Sequence, residues 1–574
     1  MPDTWPSPRT LNVRLLTVNS RPPIRSRSAT PATALFPLWT VFLALAVVLC
    51  CLLSGLGKLG LVGPDDPRYA FIARAMLQTG DWVTPRLYGQ PWFEKPVLYY
   101  WAAAAAFRFF GVTEFAARLP CALAALLATL AIAWAALRAY GRDSAVLVML
   151  FLPTSIAIIA FARAATPDAL FSALLAACAA VAFATLENPR ASVILQIAFG
   201  SFLGAATLAK GPAAVILAAG AVFLWALVSR QWRAVLQLMK PASVVSFFVV
   251  ALPWYILCAV RNPEFLRIFI LEHNFARYLT PVFQHPQPFW FFGVVILAAT
   301  IPWTGLLIPL AIAARRSYVA RSWPDSPALF FACWAAFPML FFSFSESKLP
   351  GYILPAVPPL AFLLAADARR YLAHDAHAGA AANPPIARWA IPSAGIARWW
   401  ILLTVCPFFI LPLASGYWLR QLPIESDVTR SLGMPWLLAF TLSGGALAAV
   451  LALARHARAA LISEAVLMTM LVLSVNARVL PQLDPYLSVR AAARETPLEA
   501  LRAPGLSVFE LNRAWHYGFN FYLDRDLPEW TPETQRPVWT WTNAAGAASL
   551  DRRGVHYYVV RHVTSQAWLV CIDP

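Results

Sequence analysis

The chain has 574 residues, of which 60% are hydrophobic and 13% are charged, and its mean hydropathy is +0.62. A soluble domain cannot bury so much apolar surface, so the composition excludes a soluble protein and predicts a membrane protein with many spans. The formal charge of +17 does not indicate nucleic-acid binding, because the arginines form short clusters between apolar runs and no basic stripe with interleaved aromatic residues is present.

Thirteen apolar runs of roughly membrane-spanning length follow one another along the chain. They lie near residues 35–59, 116–137, 143–160, 167–186, 192–209, 212–229, 242–260, 288–313, 326–344, 351–367, 400–418, 435–453 and 459–477. The first run is too long for the apolar part of a signal peptide, so we expect it to be retained as a helix. These runs predict an all-α membrane domain over residues 35–480, preceded by a cytoplasmic segment of residues 1–34.

The stretch Val97–Phe110 is also apolar, and counting it as a span would reverse the side of every later loop. It has only about 14 residues, which is short for a span. Leaving it out puts the arginine-rich loops on the same side as the N-terminal segment, as the positive-inside rule requires of cytoplasmic loops. We therefore predict a re-entrant or juxtamembrane helix here, within a long first external loop of residues 60–115.

The composition changes after about Pro481, and the thirteen spans make this last region external. An amphipathic helical pattern over Leu487–Leu501 precedes several short β-rich pieces. These pieces are Ser507–Leu511, Phe519–Leu523, Val538–Trp541, His556–Val563 and Trp568–Ile572. The pattern predicts a small periplasmic α/β domain over residues 481–574, whereas the Ala- and Pro-rich stretch 372–397 is predicted to be a cytoplasmic linker.

With this topology, nearly all of the unusual polar residues lie in external loops. They are Asp65, Asp66, Arg68, Tyr69, Glu94 and Lys95 of the first loop, Asp168, Lys210, the fourth-loop residues Arg267, His273 and Arg277, and then Lys348 and Tyr352. Only five of the 45 basic residues are lysines, and Lys95, Lys210 and Lys348 face outward against the positive-inside preference. Because lysine binds phosphate as a compact point charge, this placement indicates an anionic head group as ligand.

Each of these groups also has a purely structural interpretation. Asp65-Asp66 and Thr166-Pro167-Asp168 are both typical of helix starts, and Glu94-Lys95 is compatible with a surface ion pair. Lys210 suits a side chain that extends to the membrane interface, Glu346–Tyr352 suits an ordinary turn, and His273 suits a hydrogen-bonding role. What favours a functional site is that one charge rule places all the groups on the same face of the membrane.

Six motifs of the chain resemble those of the lipid A 4-amino-4-deoxy-L-arabinose transferases, which share the GT-C membrane fold with the protein O-mannosyltransferases. They are PDDPRYA at Pro64–Ala70, GDWVTP at Gly80–Pro85, WFEKP at Trp92–Pro96, FAARLP at Phe115–Pro120, RAATPD at Arg163–Asp168 and SKLPGYILP at Ser347–Pro355. The resemblance covers about residues 35–370, and the C-terminal third matches only in its general layout.

This resemblance implies a fold class, a reaction and a catalytic residue. The fold would be an all-α polytopic GT-C domain of about thirteen helices with a small C-terminal α/β domain. The reaction would be an inverting glycosyl transfer from a polyprenyl-phosphate sugar at the periplasmic face of the bacterial inner membrane. Carried over, Asp65 is the catalytic acid of the first external loop. The family commonly has Asp-Glu where this chain has Asp65-Asp66, which leaves the second acid's role open.

The implied partners are an undecaprenyl-phosphate-linked aminoarabinose as donor, lipid A as acceptor and the lipid bilayer, with no nucleic acid and a monomeric chain. The activity would confer resistance to polymyxin and cationic peptides. The remaining polar residues would bind sugar or phosphate: Asp66, Arg68, Tyr69, Glu94, Lys95, Asp168, Lys210, Arg267, Arg277, Lys348 and Tyr352. No cofactor is obligatory, although Glu94 and His273 are candidate ligands of a divalent cation such as zinc or magnesium.

Two other functions remain open at this point. The first is another lipid-linked sugar transfer, such as protein O-mannosylation, whose hydroxyl acceptor needs a general base worth about 10²–10⁴-fold in rate. The second is a transporter or flippase with ionisable gates, which would place polar residues near the middle of the bilayer and on both faces. A phosphate of lipid A is already largely anionic and depends less on a base.

Overall fold

The computed structural model describes residues 35–188, 192–276, 278, 286–320, 326–378, 399–410, 434–534 and 538–573. The predicted cytoplasmic segment 1–34 and most of the predicted linker 372–397 therefore lie outside the described residues. Among the candidate site residues, Arg277 also lies outside them.

Helices account for most of the described chain. Those of the first half are α1 (Trp39–Leu53), α2 (Asp65–Thr79), α3 (Leu98–Phe110), α4 (Glu114–Tyr140), α5 (Arg142–Thr154), α6 (Ile156–Ala162), α7 (Pro167–Glu187), α8 (Val193–Lys210), α9 (Ala213–Ser229), α10 (Trp232–Leu238) and α11 (Pro241–Arg261). They are followed by α12 (Phe291–Ala299), α13 (Leu307–Val319), α14 (Pro327–Ser343), α15 (Val357–Ala378), α16 (Trp399–Ile410), α17 (Met434–Leu453) and α18 (Ala457–Ser474). Shorter segments are the π-helices Arg267–Ala276 and Val475–Val479 and the 3₁₀-helices Trp303–Leu306 and Pro350–Ala356.

Within the described residues, each of the thirteen predicted apolar runs coincides with a helix or with a bent pair of helices, and the run 400–418 is described as far as Ile410. Among the described residues, seven helices are long and apolar enough to cross a membrane, or nine if each of two bent pairs is one span. The pairs are α5 with α6, bent by 63°, and α12 with the segment Trp303–Val319, bent by 115°. The other four runs are the shorter apolar helices α1, α9, α14 and α16. The protein is a multi-pass membrane protein.

The ambiguous apolar stretch forms α3, which at 13 residues is too short to span a bilayer. Gly111, with φ of 74°, ends this helix, and the Thr113 hydroxyl caps α4 by accepting a hydrogen bond from the Ala116 amide at 3.2 Å. Helix α3 packs against α2 and α4. The predicted helix of the first loop is therefore present, and it lies beside the helix that begins with the two acids.

The core of the membrane domain is centred on α7, whose most apolar stretch is 94% buried inside the protein. Its sequence is rich in alanine, and such small side chains let neighbouring backbones approach closely in a membrane. Helix α7 packs against α4, α8 and the 3₁₀-helix Pro350–Ala356. This arrangement brings the ends of three elements together near the first residues of α7.

The C-terminal region forms a small α/β domain. Its helices are α19 (Leu480–Leu487), α20 (Arg490–Arg494), α21 (Leu498–Arg502), α22 (Arg513–Leu523) and α23 (Ala544–Arg552). The first loop holds the short hairpin β1 (Arg86–Leu87) and β2 (Gln90–Pro91), and the domain holds β3 (Ser507–Val508), β4 (Val538–Thr542), β5 (Tyr557–Thr564) and β6 (Ala567–Ile572). The sheet order is β3-β4-β6-β5, in which β3 runs parallel to β4 and the other pairs are antiparallel.

Three expectations for this domain were wrong in detail. The predicted strand Ser507–Leu511 is a strand only over Ser507–Val508. Phe519–Leu523 was predicted as a strand but belongs to helix α22, because Asn512 caps the helix and its buried aromatic residues Trp515 and Phe519 recur at helical spacing. The amphipathic pattern over Leu487–Leu501 is not one helix, because Ser488 is extended and Pro497 precedes a new helix start. The predicted strands at Val538–Trp541, His556–Val563 and Trp568–Ile572 are confirmed within one residue.

Candidate active site

Asp65 and Asp66 are the first two residues of α2, so the helix-start interpretation of this pair is confirmed. Carboxylates are favourable in a first helical turn because the free backbone amides and the helix dipole are positive there. The two side chains differ sharply in environment. The Asp65 carboxylate is 51% exposed, whereas Asp66 is 4% exposed. Only one of the two acids is thus accessible to a substrate.

The Asp66 carboxylate anchors α2 to the membrane domain. It lies 3.2 Å from a guanidinium nitrogen of Arg118 on α4 and accepts the Ala165 amide at 2.9 Å. The same guanidinium donates to the carbonyl oxygens of Leu56 at 2.9 Å and Gly60 at 2.6 Å. Burial raises the pKa of Asp66 above its ordinary value, and the charge of Arg118 opposes that rise. Asp66 therefore has a structural role in holding α2 against α4 and the turn before α7.

Arg68 joins the exposed Asp65 to the largely buried Glu94. Its Nη2 lies 2.5 Å from Asp65 Oδ1 and its Nη1 lies 3.1 Å from Glu94 Oε2, while Glu94 also pairs with Lys95 at 3.2 Å. We call Asp65, Arg68, Glu94 and Lys95 the first-loop cluster. The Arg68 guanidinium is buried between aromatic rings, with its Cζ 4.9 Å from the Tyr69 ring and 5.3 Å from the Trp92 ring. Such rings attract the cation and fix its position.

Tyr69 packs between Arg68 and two buried tyrosines of α3. Its ring lies 6.2 Å from Tyr99 and 6.0 Å from Tyr100, and its hydroxyl accepts a hydrogen bond from Arg68 Nη2 at 3.3 Å. Burial raises the pKa of Tyr69 well above its ordinary value, so the phenol stays neutral at physiological pH. A neutral, buried phenol suits a supporting role for Arg68 rather than a role as base.

A second group of charged residues forms where membrane helices end. Asp168 lies in the first turn of α7 and forms an ion pair with Lys210, the last residue of α8. Both positions complement the dipoles of their helices. The Lys210 ammonium lies 5.4 Å from the Phe171 ring and 5.2 Å from the Tyr352 ring. We call Asp168, Lys210 and Tyr352 the helix-end cluster.

Gly351 allows the helix-end cluster to be this compact. A Cβ at this position would lie 2.8 Å from the Phe161 ring and 3.7 Å from Asp168 Oδ1, so a larger side chain would displace the ring. The turn before α7 joins the helix-end cluster to α2 and α4, because the Ala165 amide donates to Asp66 at 2.9 Å and the Cys121 thiol on α4 donates to the Thr166 carbonyl at 3.2 Å. The predicted helix start at Pro167 is confirmed.

Lys348 precedes the 3₁₀-helix that carries Tyr352, and its side chain is buried. Its ammonium donates to the carbonyl oxygen of Ser345 at 2.6 Å. Among the described residues it has no carboxylate partner, in contrast to Lys95 and Lys210. An ammonium that is buried without a counter-ion is the arrangement expected of a binding site for an anion.

The fourth loop contributes less to the site than the sequence suggested. Arg267 is exposed and pairs within its own loop, with Glu264 at 2.7 Å and with Glu272. His273 lies on the same π-helix as Arg267. Within the described parts of the chain, no group of three or more His, Cys, Asp or Glu side chains is arranged to hold a metal ion. A divalent cation bound by Glu94 and His273 stays a prediction.

Sequence reasoning missed two arginines and the particular residues that the C-terminal domain brings to the site. Arg118 was part of a recognised motif, but its role as the partner of Asp66 depends on contacts across 52 residues. The Tyr517 ring of α22 lies 5.8 Å from the Arg68 guanidinium, and Arg74 of α2 pairs with Asp524 at 2.8 Å. Nothing in the local sequence signals these contacts, since the C-terminal domain is distant in sequence from the first loop.

Comparison with known proteins finds similarity to membrane glycosyltransferases. The family model described as dolichyl-phosphate-mannose-protein mannosyltransferase matches residues 37–269. Undecaprenyl phosphate-alpha-4-amino-4-deoxy-L-arabinose arabinosyl transferases are also similar. The one from Serratia proteamaculans is 34% identical over 58% of this chain and 59% of that protein, and the one from Edwardsiella ictaluri is 32% identical over 54% and 55%. The chain spans somewhat more than half the length of these relatives.

The similarity to a solved structure extends over nearly the whole chain. The crystal structure of ArnT from Cupriavidus metallidurans bound to undecaprenyl phosphate superposes with a TM-score of 0.74, covering 92% of this chain and 97% of that one at 23% identity. The apo structure of the same protein gives a TM-score of 0.73 at 24% identity. The chain has the ArnT fold. The predicted resemblance and the predicted fold class, a GT-C membrane domain with a small C-terminal α/β domain, are confirmed.

Proposed function

We propose that this protein is an inverting glycosyltransferase that moves 4-amino-4-deoxy-L-arabinose from undecaprenyl phosphate to a phosphate of lipid A. The observation that carries the proposal is the first-loop cluster, in which an exposed carboxylate, Asp65, is held by the buried cation Arg68 within an ArnT fold. The similar transferases, whose names specify the undecaprenyl phosphate and aminoarabinose substrates, support the choice of donor. The reaction would occur at the periplasmic face of the bacterial inner membrane.

In the proposed reaction an oxygen of the lipid A phosphate attacks C1 of the sugar. The bond between C1 and the donor phosphate oxygen breaks, and undecaprenyl phosphate leaves with the electron pair. Negative charge grows on the leaving phosphate, so the reaction needs cations placed in advance. Lys348 is best suited to this role because it is buried and, among the described residues, has no carboxylate partner. Lys210 and Lys95 would assist, each held in place by an acid.

Asp65 would act on the other side of the breaking bond. Positive charge develops on the sugar carbon as the leaving group departs, and a nearby carboxylate stabilises it. A lipid A phosphate needs little help to lose a proton, so electrostatic stabilisation is the main role assigned to Asp65. The ammonium of an aminosugar would be bound by Glu94 of the first-loop cluster or by Asp168 of the helix-end cluster.

A second candidate function is transfer of a neutral hexose to a protein hydroxyl. The match of residues 37–269 to the protein mannosyltransferase family model favours it. In that reaction Asp65 would be the general base that removes the hydroxyl proton. The two functions therefore use the same accessible carboxylate and differ in sugar and acceptor.

The decisive experiment is complementation of a polymyxin-sensitive strain that lacks its own aminoarabinose transferase. Expression of this protein should restore polymyxin resistance, and mass spectrometry should detect lipid A carrying the aminosugar. Unmodified lipid A in cells that express the protein in the membrane would exclude the first function. The purified protein would then be tested with polyprenyl-phosphate mannose and a serine-containing peptide, and mannosylated peptide would establish the second function.

A further inference from the structure

The helix α22 of the C-terminal domain lies along α2, the helix that begins with Asp65. Contacts advance in the same direction on both helices: Arg68 meets Tyr517, Arg74 meets Phe521, and Gln78 meets Asp524. The two helices therefore run side by side and parallel, with the active-site end of α2 next to the first turns of α22. Any movement of α22 would displace groups that touch the first-loop cluster.

Two fixed points hold α22 in this position. At its C-terminal end, Arg74 donates to the Phe521 carbonyl at 2.8 Å and pairs with Asp524 at 2.8 Å, so a buried cation caps the negative end of the helix. In the same last turn of α22, the Tyr522 hydroxyl donates to Glu114 Oε1 at 3.0 Å and accepts the Leu61 amide at 2.9 Å. These ion pairs and hydrogen bonds fix the C-terminal domain against α2 and the start of α4.

Tyr517 is the residue through which the C-terminal domain contacts Arg68 of the first-loop cluster. Its ring lies 5.8 Å from the Arg68 guanidinium and 6.3 Å from the Tyr88 ring, and its hydroxyl accepts a hydrogen bond from Arg513 Nε at 3.2 Å. Of the three rings around Arg68, those of Tyr69 and Trp92 belong to the first loop, and the Tyr517 ring comes from the C-terminal domain. The guanidinium is thus held between two parts of the chain that are separated by more than 400 residues in sequence.

We propose that Tyr517 is a positioning residue, which holds the Arg68 guanidinium where it can bind Asp65 and Glu94 at the same time. Through this ring the docked C-terminal domain contributes to the active site. Loss of the ring would leave Arg68 held from the first loop alone, and the Asp65 carboxylate would lose its fixed orientation. The expected effect of Tyr517 on turnover rests on the proposed glycosyl transfer. Its expected effect on the order of α2 holds whatever reaction the protein catalyses.

The first test measures turnover in purified variants with undecaprenyl-phosphate aminoarabinose and lipid A. Tyr517→Ala should lower kcat by about 3- to 30-fold, which corresponds to the loss of one cation–π contact. The KM for the donor should change little, because the displaced group acts in the transition state. Tyr517→Phe keeps the ring and should recover most of the lost kcat. The matched control is Arg553→Gln, which breaks an exposed ion pair with Glu510 inside the same domain and should leave kcat unchanged.

The second test does not depend on which reaction the protein catalyses. Hydrogen–deuterium exchange of peptides from the first turns of α2 should be faster in Tyr517→Ala than in the unchanged protein, and unaffected in Tyr517→Phe and Arg553→Gln. Equal exchange in all four proteins would overturn the positioning role. Absence of aminoarabinose transfer by the unchanged protein would instead overturn the proposed function. A rise in donor KM at constant kcat in Tyr517→Ala would also contradict the positioning role, because it would indicate a substrate contact.

Discussion

Asp65 and Asp66 are adjacent and chemically identical, but they project from different faces of α2. The Asp65 side chain is half exposed, whereas the Asp66 side chain faces the membrane domain and is buried against Arg118. Successive residues of a helix point about 100° apart, so neighbours in sequence commonly face different surroundings. The comparison teaches that the surroundings of a carboxylate here depend on its face of the helix: Asp66 anchors α2 to the membrane domain, whereas Asp65 stays open to solvent.

The largest expected effect comes from removing the charge on the accessible face. Asp65→Asn should lower kcat by roughly 10²–10⁴-fold, because the carboxylate that stabilises the developing charge is lost. The melting temperature should stay close to that of the unchanged protein, since the side chain is half exposed. Turnover with the lipid-linked donor and a thermal unfolding curve measure both quantities. Full activity of this variant would remove Asp65 from the mechanism.

The same substitution on the buried face should act on stability. Asp66→Asn leaves the Arg118 guanidinium buried without a counter-ion, and breaking such a pair costs about 3–5 kcal/mol in the free energy of unfolding. Unfolding in detergent, followed by tryptophan fluorescence, would measure the loss. Asp65→Asn is the matched control because it removes an equal charge one residue away. Equal stability of the two variants would contradict the division between the two faces.

Lys348 offers a test of the cations that surround the site. Lys348→Gln should weaken donor binding by roughly 10- to 100-fold, as expected when a hydrogen bond from a charged group to a phosphate is lost. Lys348→Arg keeps the charge and should bind the donor more tightly than the glutamine variant does. Binding of undecaprenyl phosphate alone, measured by titration in detergent, is sufficient. Unchanged affinity in Lys348→Gln would assign the donor phosphate to other cations.

The smallest effect is expected for Arg267, which is exposed and pairs with acids of its own loop. Exposed ion pairs of this kind contribute little, so Arg267→Gln should change kcat/KM by less than about fivefold. Steady-state kinetics beside Lys348→Gln would measure the contrast. A loss as large as that of the lysine variant would show that the fourth loop closes over the substrate.

Much of the fold could be predicted from the sequence because membrane helices leave a strong local signal. Within the described residues, thirteen apolar runs matched thirteen helices or helix pairs, and the ambiguous run 97–110 formed the short helix α3. The β-rich interpretation of Phe519–Leu523 was wrong because aromatic residues favour strands intrinsically, whereas here the cap at Asn512 and packing against α2 determine a helix. Local propensity is weakest where long-range contacts decide the structure.

The candidate site shows the same limit. The members of the first-loop cluster, Asp65, Arg68, Glu94 and Lys95, lie together as the shared motif order suggested. The pairing of Asp66 with Arg118 and of Arg68 with Tyr517 was not foreseen, because each depends on how separate helices pack. Charge and spacing could identify the residues of the site but could not tell which of two adjacent acids is accessible.

The contact between α2 and α22 has a consequence for protein engineering. Two charged side chains of the first half of the chain have partners in the second half: the buried Arg74 pairs with Asp524, and the half-buried Glu114 accepts a hydrogen bond from Tyr522. A chimera that exchanges the C-terminal domain between homologous transferases would separate these partners unless both halves carried matching residues. The domain is therefore not interchangeable on its own, and a graft of α22 must carry α2 and the first turn of α4 with it.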